Sequence, residues 1–140
     1  MPSRRLLLLL LLVLPWPAAV AAADFVVVVN KENPVETLDR SEVKNIFLGK
    51  KTFWPNGQVI DVILQDEGEV HQGFVLEILR KTPAQFQLYW KLALFSGTGI
   101  PPDQQPDSQA VKAAIAANPK MIGYIDVQQL DDSVKKIELK

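Results

Sequence analysis

At 140 residues, with no cysteine, a formal charge of −1 and 48% apolar side chains, the chain is neither a disulfide-stapled miniprotein nor a charge-rich disordered tail. One compact domain is expected. Its longest basic runs are pairs such as Lys50-Lys51 and Lys135-Lys136, too sparse to neutralise a nucleic-acid backbone, so a small molecule or a protein is the expected partner.

Residues 1–23 carry the three parts of a secretory signal: Arg4-Arg5, an apolar run from Leu6 to Leu14, and Pro15-Trp16-Pro17 with small residues ending at Ala21-Ala22-Ala23. Cleavage is expected after Ala23. The apolar run is about half of the roughly 20 residues that cross a bilayer, so no membrane anchor is expected after cleavage. Without cysteine a lipoprotein anchor is not expected either. Residues 24–140 then form the domain, with three more acidic than basic side chains, and its destination is the periplasm or another secreted location.

In chain order, Asp24-Phe25-Val26-Val27-Val28-Val29-Asn30 is a short apolar β-branched run, the pattern of a strand buried on both faces in a parallel sheet. Asn33-Pro34 breaks it. Asp39 followed by Glu42 predicts a helix start, with Leu38 placed to staple onto Val43, Ile46 and Phe47 extending the apolar face, and Gly49 closing the helix. Val59 to Leu64 reads as a second strand, and Val70, Phe74, Val75, Ile78 and Leu79 recur at helical spacing. Thr82-Pro83-Ala84-Gln85 starts another helix, whose buried stripe is read as Phe86, Trp90, Ala93 and Leu94. Ser96-Gly97-Thr98-Gly99 has the letters of a phosphate loop but follows a helix, so a C-cap and turn is preferred. The proline-rich segment 100–106 is expected to be a surface loop. A helix from about Ser108 to Ala117, a strand from Met121 to Ile125, and a weak fourth strand within Ser133 to Leu139 complete an α/β pattern.

The string from Leu38 to Lys50, then Trp54, the strand Val59 to Leu64, and Met121-Ile122-Gly123-Tyr124-Ile125 together resemble the phosphate-binding proteins of ABC transporters, over most of residues 26–126. This implies one periplasmic-binding-protein-like lobe: a mostly parallel sheet of about four strands flanked by about four helices. Such proteins have two lobes that close on a ligand, whereas residues 24–140 fit about one. The resemblance implies a solute-binding protein and not an enzyme. It further implies a small oxyanion or other solute as ligand, and an ABC permease or envelope protein as partner.

In that family the phosphate cradle is an Arg at a strand end, then two residues, then Gly-Ser-Gly-Thr opening a helix. Backbone N–H groups, hydroxyls and a guanidinium together surround the anion. Here the aligned stretch is Gln65 to His71, and only Gly68 is retained. Gln65 replaces the Arg, Glu69 the Ser, Val70 the second Gly and His71 the Thr, while Asp66, Glu67 and Glu69 bring negative charge. An altered or lost phosphate site is therefore expected, with an envelope interaction module lacking a small ligand as the alternative. Ligands of open α/β sheets sit at strand carboxyl ends, which adds Asn30, Lys31 and Tyr124 to Gln65, Gly68, Glu69 and His71 as candidate ligand-binding residues. His71 is the only histidine; with no second His and no Cys, neither a metal site, a cofactor nor a nucleophilic triad is expected.

Overall fold

The valines that follow Asp24 form β1 (Phe25–Val29), and their alternation divides the core: Val27 and Val29 enter one apolar cluster, Val26 and Val28 another, on opposite faces of the sheet. The protein is seen here as a computed structural model that describes residues 24–140 together with Leu14 and Pro15; apart from those two, the expected leader lies outside the described residues.

The remaining elements are β2 (Thr37–Leu38), α1 (Arg40–Phe47), β3 (Asp61–Gln65), α2 (Glu69–Phe74), α3 (Pro83–Phe95), β4 (Asp103–Gln105), α4 (Ser108–Ala117), β5 (Met121–Asp126), β6 (Lys135–Lys136) and β7 (Glu138–Leu139). A five-stranded sheet has the order β4-β3-β5-β1-β6, and β2 pairs with β7 beside it. β3 is parallel to β4 and β5, whereas β1 is antiparallel to β5 and β6. Four of the five strands thus share one direction, in a mostly parallel sheet flanked by four helices.

The direction of β1 departs from expectation. It is central and buried on both faces as its composition predicts, yet it runs against its neighbours. Apolar burial is blind to strand polarity, because either direction presents the same side chains to the two layers. Segment 100–106 also differs: after Pro101-Pro102 the chain forms edge strand β4, which pairs with Ile63 to Gln65. Prolines are compatible with an edge, and its Asp-Gln-Gln sequence carries no apolar signal. The second strand starts at Asp61, since Val59 is half exposed and bridges Phe53.

Helix starts follow their local chemistry. Asp39 caps α1, where its N–H donates to Glu42 Oε2 at 3.0 Å, and Gly49 beyond the helix has φ 72°. Thr82 and Gln85 close a reciprocal box on α3, with Pro83 in the first turn. α2 continues into a π-helical turn, Val75–Leu79, that buries Val75, Ile78 and Leu79 and ends at Arg80 in the left-handed region (φ 56°). On the opposite face α4 lies close to β5. A Cβ on Gly123 would come within 2.7 Å of Ile63 Cγ2 and 3.1 Å of Val111 Cγ1, so this glycine sets how near the helix can approach.

Candidate functional site

The carboxyl ends of β3 and β5 point to the same end of the sheet, where α2 and α3 leave a cavity of about 410 Å³. That volume falls within the range of small-molecule pockets. Leu64, Phe86, Trp90 and Leu94 supply apolar wall; Gln65 and His71 supply buried polar surface; Asp66, Glu67 and Lys91 carry the charges. A neighbouring depression of about 460 Å³ includes Gly68 and shares Glu67 and His71.

Tyr124 organises the site from beneath. Its ring, fully buried, stacks on Phe74 with centroids 4.0 Å apart and planes 8° off parallel. Its hydroxyl accepts the Gln65 backbone N–H at 3.1 Å and lies 2.5 Å from His71 Nδ1. With the oxygen already accepting, the phenol proton is satisfied only by donation to Nδ1, which leaves the proton of the neutral imidazole on Nε2. Burial keeps His71 neutral by lowering its pKa below the ordinary value, against a weaker upward pull from Glu67 and Asp66. Burial likewise drives the Tyr124 hydroxyl far above its ordinary range, so it stays protonated and able to donate.

Gln65 is held by a second set of bonds. Its Nε2 donates to Ser108 Oγ at 3.0 Å, and that oxygen also accepts the Asp126 N–H at 2.9 Å. One serine at the start of α4 therefore ties together the ends of β3 and β5. Nothing in the sequence marked Ser108, because its role depends on the distance between α4 and β3. Phe86 and Trp90, read from sequence as core, are buried and also wall the cavity. Leu94, placed on the buried stripe, is instead more than half exposed at the cavity's side.

The sequence candidates separate into three places. Gln65, His71 and Tyr124 come together in one network, with Gly68 next to them. Glu69, exposed on the first turn of α2, lines neither depression. Asn30 and Lys31 lie at the other end of the sheet, because the reversed β1 carries its carboxyl end to the starts of β3 and β5. There Asn30 Nδ2 donates to Ile115 O at 2.8 Å and Ala116 O at 3.1 Å, tying down the end of α4, while Lys31 is exposed. Among the described residues no group of three His, Asp or Glu side chains converges as metal ligands do, and no helix is long and apolar enough to cross a membrane.

The fold is thus an α/β lobe with a cavity beside the carboxyl ends of β3 and β5, the end at which open α/β sheets present ligand sites. The family model for the PBP superfamily domain matches residues 15–138, and the chain belongs to that superfamily. Its fold is shared with a protein from Clostridium perfringens assigned as a phosphate ABC transporter substrate-binding protein and solved with bound phosphate (23% identity, TM-score 0.67, covering 84% of this chain and 45% of that one). An ABC-type phosphate transport receptor from Vibrio cholerae is similar at 21% identity and TM-score 0.59, covering 84% of this chain and 46% of the receptor. PstS from Borrelia burgdorferi is similar at 17% identity and TM-score 0.61, covering 84% of this chain and 47% of PstS. The chain thus spans less than half the length of these solved relatives.

Proposed function

We propose that the chain is an exported, non-enzymatic binding lobe whose phosphate site has been altered, so that the cavity beside Gln65 and His71 takes a small solute other than inorganic phosphate. The observation that carries this reading is the occupation of the polar groups at the former cradle. The Gln65 side chain is bonded to Ser108, and His71 Nδ1 to Tyr124, which leaves Lys91 as the cationic side chain lining the cavity against Asp66 and Glu67. A phosphate about 4 Å from one of those carboxylates meets roughly 4 kcal/mol of repulsion per charge pair at a surface-like dielectric. The resemblance to the phosphate receptors then accounts for the scaffold but not for the ligand.

Export follows from the leader: the protein recovered from the periplasm or medium is expected to begin at Asp24, and an intact Met1 on the exported form contradicts it. A thermal-shift panel of phosphate, sulfate, carboxylates and neutral solutes tests the cavity, since a ligand at about 100 times its dissociation constant adds about 2.7 kcal/mol. Phosphate is expected to give no saturable shift. Gln65→Arg, at a candidate cradle position that lines the cavity, is expected to create one. Saturable phosphate binding by the unaltered chain overturns the reading. A second reading, an envelope interaction module, draws on the apolar outer face of α3 and predicts no shift with any solute.

A further inference from the structure

Charges of both signs line the cavity without pairing to each other. Asp66 and Glu67 stand between β3 and α2, and Lys91 stands on α3, where Pro83, Gln87, Lys91 and Leu94 recur at spacings of four, four and three and share one face. Among the described residues the ion pairs lie elsewhere, and Asp66, Glu67 and Lys91 enter none of them. Glu67 also borders the depression formed with Thr82, Pro83 and Gln87 at the start of α3. Lys91, one turn beyond Gln87, therefore lies about 6 Å farther along the helix.

The imidazole adds a second, independent feature. His71 is 8% exposed and bonded to the protein through Nδ1 alone, so its Nε2–H is a donor without a protein acceptor. The sealed orphan among the described residues is Trp90 Nε1, not this nitrogen, so the His71 donor opens onto the depressions that its ring lines. Burial lowers the His71 pKa while Glu67 and Asp66 pull it upward, which places both carboxylates within electrostatic reach of the ring.

We propose that the cavity takes an apolar zwitterion, an α-amino acid or a short peptide, with its ammonium facing Asp66 and Glu67, its carboxylate shared by His71 Nε2–H and Lys91, and its side chain against Phe86 and Trp90. This rests on the reading of the lobe as a binding domain for a solute other than phosphate, and names the class of that solute. A carboxylate alone gains the imidazole N–H and the lysine but meets two like charges, and phosphate meets the same repulsion more strongly. An amine alone answers the acids and leaves both donors empty. An α-amino acid carries the two charges on a single carbon and answers both sets at once, while the aromatic wall rewards an apolar side chain.

Isothermal titration calorimetry of the exported protein is expected to show saturable binding of L-leucine and L-phenylalanine. Glycine, isoamylamine and isocaproate, which lack in turn the side chain, the carboxylate and the ammonium, are each expected to bind at least about 10-fold more weakly than L-leucine. Dileucine distinguishes the sources: tighter binding than L-leucine assigns the site to peptides, weaker binding to free amino acids. Lys91→Met is expected to shrink the advantage of L-leucine over isoamylamine and keep that over isocaproate, and Asp66→Asn with Glu67→Gln to do the reverse. All three residues are exposed, so circular dichroism of the variants should be unchanged. The proposal alone is overturned if L-leucine, L-phenylalanine and dileucine stay silent while a neutral or singly charged solute gives a saturable thermal shift. Equal affinity for L-leucine, isoamylamine and isocaproate also overturns it. Saturable phosphate binding, or silence from every solute, overturns the proposal together with the reading on which it rests.

Discussion

The two faces of the central sheet are built by different means. One is an aromatic and polar layer in which Phe25, Phe47, Phe74 and Tyr124 pack edge-on and stacked beneath α1 and α2, with His71, Gln65 and the cavity at its end. The other is a small aliphatic layer of Val26, Val28, Ile63, Val111, Ile115, Ile125 and Val134 under α4, drawn tight by Gly123. Aliphatic side chains fill space without placing any polar atom, whereas rings such as Tyr124 fill space and also position a hydroxyl. The aliphatic face holds the sheet in shape, and the aromatic face carries the groups able to meet a ligand.

Substitutions on either face can sharpen or break this contrast. Phe74→Ala should have the largest effect, about 3–5 kcal/mol of stability, because Phe74 is fully buried and contacts the rings of Phe25, Phe47 and Tyr124. Chemical denaturation measures it, and a loss below about 1 kcal/mol would mean that the aromatic layer is not cooperative. Tyr124→Phe keeps the stack but leaves the buried Gln65 N–H and His71 Nδ1 without their partner, at a cost of about 1–3 kcal/mol. That loss should come with a shifted His71 ring resonance in NMR. Gly123→Ala on the opposite face is expected to cost a similar 1–3 kcal/mol by overpacking against Ile63, Ile115 and Val111, without moving the His71 signal. A shift there would show that the two layers are mechanically coupled.

The smallest effect is one of pH. The folded pKa of His71 lies below its ordinary 6.5, so the unfolded chain takes up the proton first as pH falls. The contribution of the neutral ring is therefore complete above about pH 6.5 and lost progressively below it, with a slope of at most about 1.4 kcal/mol per pH unit. His71→Gln should flatten that acid limb between the two pKa values. An unchanged slope would mean that the imidazole is not kept neutral by burial.

How much of this was legible beforehand depended on whether the cause is local. The helix starts at Asp39 and Thr82, the turn at Gly49 and the end of α4 at Ala117 were readable, since caps and left-handed turns are set by a few adjacent residues. The gathering of Gln65, His71 and Tyr124 was only partly visible, through strand ends and an aligned motif. Their hydrogen bonds span 53 and 59 positions in the chain. Asn30 looked equivalent to Gln65, a polar residue ending an apolar strand, but it became a tie for α4 because β1 runs the other way.

By itself, then, the amino-acid sequence determined the alternation of strands and helices, the two-sided burial of the valine run and the polar, acidic character of the stretch from Gln65 to His71. These depend on side-chain chemistry and on contacts between near neighbours. Tertiary structure decided the polarity of β1, the recruitment of Asp103–Gln105 as an edge strand, the joining of Gln65 to Ser108 and the outward turn of Leu88, Leu92 and Phe95. Each of those is a choice among partners that the chain's local energetics leave nearly equal, and only the packing of the layers separates them.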